Sequence, residues 1–233
     1  MLAVLAGNGI QEIFREDPDV LYISIHRWED GKFYPELSQG EIEYVGEGRG
    51  VGRNINIAWP CAGMGDGDYL YAFKNVVMPV AREFDPDFVI VACGFDAAVG
   101  DPLGQCLVTP ECYAHMTRGL KTLAGGKLVL SLEGGYNLDA IANSALGCVK
   151  ALLPMDWNEG IVPRRGDCTD YALVPEYVML GDDYRPEPVP IDPISKLPEV
   201  ANATPSEVCL ETVDKVRKVH SQYWACFKTT TTA

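Results

Sequence analysis

The sequence predicts an α/β fold built on a parallel β-sheet. Residues 87–93 and 127–132 are nearly continuous apolar runs, a pattern typical of parallel strands that are covered on both faces. Helical patterns separate the predicted strands, and this alternation indicates a parallel sheet joined by right-handed crossovers. With 233 residues, 47% of them hydrophobic, the chain is long enough to bury a substantial core.

The predicted elements follow one another from residue 20 to residue 153. Short runs rich in β-branched or aromatic residues predict four strands, at 20–25, 54–59, 87–93 and 127–132. An apolar period of 3.6 residues predicts a helix over 69–84, in which Pro79 introduces a kink or an early end. Thr-Pro-Glu at 109–111 predicts the start of a second helix, and an Ala- and Leu-rich segment predicts a third over 138–153.

Two loops at predicted strand ends carry candidate chemical groups. Reactive residues of parallel α/β sheets gather at the carboxyl ends of the strands. The loop at 94–104 (GFDAAVGDPLG) places Asp96 among small residues, where it is either a ligand for a divalent ion or the cap of a turn. The loop at 133–137 contains two glycines and Tyr136. The Tyr136 hydroxyl either donates to a developing oxyanion or the ring simply covers the next helix.

A third loop, at 26–50, contains adjacent aromatic residues before a proline. Phe33 and Tyr34 either form the wall of an apolar tunnel or pack on the surface in the ordinary way. The residues alone leave both interpretations open.

Composition excludes several classes of protein. The formal charge of −14 repels nucleic acid and favours lysine-rich partners, although it also serves solubility alone. Eight cysteines without a Cys-x-x-Cys pair, and three histidines, argue against a zinc finger or a disulfide framework and for reduced thiols. The apolar run at 1–6 is too short for a signal sequence or a membrane span. We therefore expect no membrane partner and a location in the nucleus, the cytoplasm or both.

Three motifs in order, LYISIHRWEDGKFYP, GFDAAVGDPLG and LEGGYN, resemble the histone deacetylase family. The form is similar to the class II branch, particularly its fungal members, and the resemblance covers about residues 7–153. The segment ETVDKVRKVHSQYW is similar to the region that follows the catalytic domain in fungal class II proteins.

The resemblance implies a three-layer arginase/deacetylase-like fold and zinc-dependent hydrolysis of N6-acetyl-lysine in histones or other lysine-rich proteins, with a role in transcriptional repression. In the family, two aspartates and one histidine hold the zinc ion. Asp96 matches the last zinc aspartate, Tyr136 matches the tyrosine that stabilises the oxyanion, and Ser24 matches a ligand of a monovalent cation such as K⁺. The acyl-lysine channel is matched by Phe33, Tyr34 and Gly135.

The sequence departs from the family at the other zinc ligands. The family motif Asp-x-His-His-Gly-Asn-Gly is retained only in Gly7, Asn8 and Gly9. Ala3 stands where the aspartate ligand belongs and Leu5 where the histidine ligand belongs. The catalytic histidine pair and the first strands of the family are lacking too, so we expect an N-terminally truncated domain with an incomplete zinc site and negligible activity.

The expected organisation has four parts. Residues 1–153 form the C-terminal half of a deacetylase domain, 154–204 an extended surface linker rich in proline, 205–228 a helix and 229–233 a disordered tail. Half a sheet exposes backbone edges and apolar faces, so we expect poor solubility, dimerisation or a bound partner.

Three functions remain open from the sequence. The chain is a partial copy of a lysine deacetylase, or a non-catalytic interaction module of a corepressor complex that uses the channel or the C-terminal helix. The third alternative is an amidohydrolase that acts on acetylated polyamines.

Overall fold

The computed structural model of the protein describes residues 6–153 and 203–228. Residues 6–152 and 203–228 belong to one compact unit. Ala3, Leu5, the expected tail and nearly all of the expected linker lie outside the described residues.

Four parallel strands carry the site. β1 (Tyr22–Arg27) pairs with β2 (Asn54–Trp59), and β3 (Val89–Cys93) pairs with β4 (Leu128–Leu132). The predicted parallel α/β class is confirmed. β1 begins two residues later than predicted, because the hydrogen bond from the Tyr22 amide to the Arg53 carbonyl (2.9 Å) starts its pairing with β2.

The burial of the strands differs from the prediction in the second pair. Every residue of β2 is buried, as expected of an inner parallel strand. In the second pair, however, Ile90 of β3 is 67% exposed and Val129 of β4 is 48% exposed. The apolar pattern had predicted strands that are covered on both faces. Within the described residues, however, no element covers the face that carries Ile90 and Val129.

The first helices differ from the sequence prediction. α1 (Asn8–Phe14) was not predicted. The helix predicted over 69–84 starts earlier and is divided, with α2 (Asp66–Ala72) and α3 (Met78–Phe84) on either side of a π-helical turn at Phe73–Val77. Pro79 lies in the first turn of α3, directly after the π-helical turn.

α4 (Pro110–Lys121) and α5 (Leu138–Leu152) pack against each other. The Thr109 hydroxyl caps α4 by accepting a hydrogen bond from the Cys112 amide (3.3 Å). Gly147 of α5 allows this packing, because a Cβ there would lie 2.6 Å from the Pro110 carbonyl oxygen. Among the described helices, none is long and apolar enough to cross a membrane.

The C-terminal helix is shorter than the range of 205–228 predicted from the sequence. α6 (Glu207–His220) is followed by a turn and a short 3₁₀ helix at Ala225–Phe227. The Asp68 carboxylate accepts bonds from the amide and hydroxyl of Ser206 (2.8 and 2.7 Å). The Trp224 indole donates to the Gly52 carbonyl (2.9 Å). Polar contacts at both ends therefore fix this segment against the body of the unit.

Candidate functional site

Asp96 and Tyr136 meet at the carboxyl edge of the β3–β4 pair. The Asp96 side chain is almost fully buried, with 1% exposure. A Cβ atom placed on Gly134 would lie 2.8 Å from the Asp96 Oδ2 atom and 3.7 Å from the Tyr136 hydroxyl oxygen. Both oxygen atoms therefore border one point in space, and a glycine at 134 keeps that point open. This role of Gly134 was not predicted from the sequence.

The Tyr136 hydroxyl is suited to donating a hydrogen bond. Partial burial raises the pKa of Tyr136 above its ordinary value, and the carboxylates of Asp96 and Asp101 raise that pKa further. The phenol therefore keeps its proton at neutral pH. Because Tyr136 is 48% exposed, its hydroxyl can still be reached from solvent.

Asp101 fixes the position of Tyr136, a role that was not predicted from the sequence. Its Oδ2 atom accepts a hydrogen bond from the Tyr136 amide (2.7 Å), and its Oδ1 atom accepts from the amides of Leu103 and Gly104 (2.9 Å each). The carboxylate is 5% exposed, so these bonds are shielded from water. One buried side chain thus ties the loop after β3 to the loop after β4. The Asp-Pro-Leu-Gly sequence was the available signal, since Asp often bonds the backbone of such turns.

Replacing Asp101 by asparagine is expected to lower the free energy of unfolding by about 2–4 kcal/mol. The substitution removes the charge and turns an amide donor towards a backbone donor, so at least one buried N–H loses its acceptor. Urea unfolding at pH 7 measures the change. Asp139→Asn is the matched control, because Asp139 is exposed in the first turn of α5. Equal stability of the Asp101 variant and the unchanged chain would contradict this role.

Further bonds join the same two loops. The Phe95 amide donates to the Gly134 carbonyl (2.7 Å), and the Asn137 side-chain amide donates to the Gly100 carbonyl (2.8 Å). The Asn137 side-chain oxygen also accepts from the amide of Asp139 (3.0 Å) at the start of α5. The backbone around Asp96 and Tyr136 is therefore built from two mutually bonded loops.

The residues predicted to line the channel lie on two loops. Phe33 and Tyr34 lie on the loop after β1, and Gly135 lies on the loop after β4. Tyr34 is 52% exposed and lies close enough to Tyr136 to contribute to the raised pKa of its phenol. Phe33 is half-buried, with the Arg27 guanidinium 4.1 Å from the centre of its ring. Gly135 has φ +141°, and a Cβ there would lie 2.7 Å from Ile141.

Arg27 links the aromatic loop to the Asp96 loop and was not identified from the sequence. It forms an ion pair with Glu29 (2.6 Å) and donates to the Gly104 carbonyl (3.3 Å) and the Gln105 side chain (3.2 Å). The same side chain contacts Phe33, so one arginine positions two of the candidate loops.

Ser24 lies in the middle of β1 and is fully buried. His26 Nε2 lies 2.9 Å from the Gly40 carbonyl oxygen, which can only accept, so Nε2 carries the proton. His26 Nδ1 therefore accepts a hydrogen bond from the Ser24 hydroxyl (2.9 Å). Burial lowers the pKa of His26 to about 4 and keeps the ring neutral. The Ser24 oxygen keeps its lone pairs for other partners, and its predicted role as a cation ligand stays a prediction.

The described residues do not fit a zinc ion. Protein zinc sites use three or four nitrogen, sulfur or carboxylate ligands. Within residues 6–153 and 203–228, no group of three or more His, Cys, Asp or Glu side chains could hold a metal ion. The predicted role of Asp96 as a zinc ligand stays a prediction, and its single carboxylate is too few ligands to hold the ion.

Residues 4–152 match the family model described as the histone deacetylase domain. The chain belongs to the histone deacetylase family. It is 50% identical over 222 residues to histone deacetylase clr3 of Schizosaccharomyces pombe, and this match covers 95% of the chain and 26% of the relative. The predicted resemblance to fungal class II deacetylases is thereby confirmed. The chain spans about a quarter of the length of this relative.

Two solved structures support the same assignment of fold. The structure of the histone deacetylase Clr3 is 46% identical with a TM-score of 0.77, and the match covers 97% of this chain and 32% of that one. The crystal structure of the HDA15 HD domain is 39% identical with a TM-score of 0.74. This match covers 97% of the present chain and 50% of the chain in that structure. The arginase/deacetylase fold of this histone deacetylase family member is confirmed.

Proposed function

We propose that the protein is part of a zinc-dependent lysine deacetylase that hydrolyses N6-acetyl-lysine in histones or other lysine-rich proteins. The observation that carries this proposal is the convergence of Asp96 and the Tyr136 hydroxyl on the open space beside Gly134. In a member of this family, a buried carboxylate beside a protonated phenol fits an acyl-transfer site, in which hydrogen-bond donors stabilise the oxyanion.

Each residue has a proposed role. Tyr136 donates a hydrogen bond to the oxyanion, and Asp101 positions Tyr136 by holding its backbone amide. Asp96 supplies one zinc ligand, and the complete site needs the donors that the family carries where this sequence has Ala3 and Leu5. When bound, the zinc ion supplies Lewis-acid activation of the acetyl group. The acyl-lysine channel is lined by Phe33, Tyr34 and Gly135, and Ser24 contributes to a K⁺ site.

The chain on its own is proposed to be inactive, because the aspartate and histidine ligands and the catalytic histidine pair are not present in its sequence. The formal charge of −14 is compatible with lysine-rich substrates and unfavourable for direct binding of nucleic acid. For the intact protein we propose a role in transcriptional repression, in the nucleus, the cytoplasm or both.

A non-catalytic role in a corepressor complex is the second candidate, favoured by the departure from the family at the metal ligands. If α6 captures the partner, it does so through its outer polar face, because Cys209, Val213 and Val216 are buried against the unit. Deletion of residues 205–228 would therefore disturb the fold as well as a partner contact. Substitutions on the outer face, such as Glu211→Lys, separate the two effects.

Tyr136→Phe tests the catalytic proposal in a longer protein, made by joining the rest of a family domain to this chain and placing the family residues Asp-x-His-His at positions 3–6. Loss of one oxyanion donor is expected to lower kcat about 10²–10³-fold while the affinity for an acetyl-lysine peptide changes little. Tyr71→Phe is the matched control, since it removes a phenol of α2 that is not among the residues of the candidate site. Unchanged turnover in the Tyr136 variant would exclude the proposed role. Competition between an acetylated peptide and an acetylated polyamine identifies the preferred substrate class.

A further inference from the structure

Two Thr-Pro pairs occur in the sequence, at 109–110 and at 204–205. Proline-directed protein kinases, a class of phosphotransferases, act on a threonine that is followed directly by proline. The proline disfavours helical backbone angles at the residue before it, which keeps the acceptor threonine on an extended backbone. The two pairs differ in what the threonine hydroxyl contacts.

The hydroxyl of Thr109 is engaged in the fold. It donates a hydrogen bond to the Asp66 carboxylate (2.7 Å) and accepts one from the Cys112 amide (3.3 Å) as the cap of α4. The residue is half-buried. A phosphate on this oxygen would break both bonds at the start of α4, so Thr109 serves the structure.

The hydroxyl of Thr204 is available. Thr204 is exposed and precedes α6 outside any helix or strand. Its hydroxyl makes no hydrogen bond to another of the described residues. Its main chain, by contrast, packs on α2, because a Cβ atom placed on Gly67 would lie 2.3 Å from the Thr204 carbonyl oxygen. An accessible hydroxyl therefore lies on a segment whose main chain contacts α2.

A phosphate at Thr204 would lie among carboxylates. The first turn of α2 contains Asp66 and Asp68, and α6 begins at Glu207. Asp68 also holds this segment by accepting bonds from the amide and hydroxyl of Ser206 (2.8 and 2.7 Å). A phosphate carries a charge of about −1.5 to −2 at neutral pH and is repelled by neighbouring carboxylates. The N-terminus of α6 offers it a partial charge of only about +0.5, so repulsion prevails.

We propose that Thr204 is a phosphorylation site for a proline-directed kinase, and that its phosphate loosens residues 203–210 from α2. The γ-phosphoryl group passes from ATP to the Thr204 hydroxyl oxygen. A new P–O bond forms, the bond to the β-phosphate breaks, ADP leaves, and the hydroxyl proton passes to the base of the kinase. The kinase takes the segment when its contact with α2 opens, and the added charge then opposes closure. The inference holds whether or not the assembled domain is catalytic.

Treatment of the full chain with a purified cyclin-dependent kinase and ATP tests the acceptor. Mass spectrometry is expected to locate a single phosphate on Thr204 and none on Thr109. Thr204→Ala should take up no phosphate, and Pro205→Ala, which keeps the hydroxyl, should lose nearly all of the incorporation. Phosphate on Thr109 instead would overturn the assignment. The absence of incorporation under conditions that fully modify a Thr-Pro peptide would do the same.

Hydrogen exchange on the phosphorylated chain tests the release. The Ser206 amide donates to Asp68, and the amides of Cys209 and Leu210 donate to Ser206. Exchange at these three amides is expected to become at least about tenfold faster than in the unmodified chain. The Trp224 amide, bonded at the far end of the segment, should be unchanged. Unchanged or slower exchange at residues 206–210 would contradict the proposed loosening.

Discussion

Acidification from pH 7 to pH 4.5 is expected to lower the free energy of unfolding through two buried histidines. Burial lowers the pKa of His26 and of His220 to about 4. The unfolded chain binds their protons below about pH 6.5, whereas the folded chain binds them only near pH 4. Stability is therefore complete above pH 6.5 and falls as the pH decreases towards 4. Each histidine contributes a loss of about 2.5 kcal/mol at pH 4.5.

His220→Leu separates this effect from the titration of carboxylates. Neither ring nitrogen of His220 has a hydrogen-bond partner among the described residues, so an apolar residue breaks no such bond. Urea unfolding at both pH values should show a difference that is smaller by about 2.5 kcal/mol in this variant. His115→Leu, at an exposed position of α4, should leave the difference unchanged. An unaltered pH dependence in the His220 variant would show that burial does not set its charge.

Restoring the two family ligands is expected to create zinc binding. Ala3→Asp together with Leu5→His, combined with Asp96, would supply the three protein ligands of a catalytic zinc site. We expect the affinity for zinc to increase by roughly 10³-fold or more, about 4 kcal/mol, over the unchanged chain. Isothermal titration with zinc and the visible absorption of bound cobalt measure the gain.

Two controls locate the new site. Adding Asp96→Ala to the double variant should abolish the gain, because two ligands remain. Ala3→Asp alone should give only a small part of it, for the same reason. A double variant that binds zinc no better than the unchanged chain would show that positions 3 and 5 do not face Asp96, and the proposed alignment with the family motif would then be wrong.

The sequence predicted the elements that have strong periodic patterns. β2 was predicted to the residue, since its β-branched and aromatic run is bounded by turns on both sides. α4 was predicted from its Thr-Pro start, and its Thr109 cap is present in the structure. By contrast, α1 has only seven residues and lies between glycine and a turn, so no apolar period was visible. The π-helical turn at Phe73–Val77 has no sequence signature and went unpredicted.

In the candidate site, only the chemical groups at the ends of the strands, Asp96 and Tyr136, were predictable from the sequence. Asp96 and Tyr136 stood out because they follow strands in small-residue loops. Asp101, Arg27 and Gly134 were missed, since their roles depend on contacts between loops that are distant in sequence. The Asp101 carboxylate, for example, bonds the Tyr136 amide 35 residues away. Such contacts follow from the register of the strands, which the pattern of a single strand does not specify.

The zinc content of the purified chain tests the central claim most directly. The chain is prepared in zinc-containing medium, dialysed against metal-free buffer, and analysed by mass spectrometry of the metal alongside an acetyl-lysine hydrolysis assay. We predict far less than one zinc ion per chain and no turnover above background, because Asp96 is the one matched zinc ligand in the sequence. One tightly held zinc ion per chain, with hydrolysis that stops on its removal, would contradict the claim that this chain carries an incomplete deacetylase site.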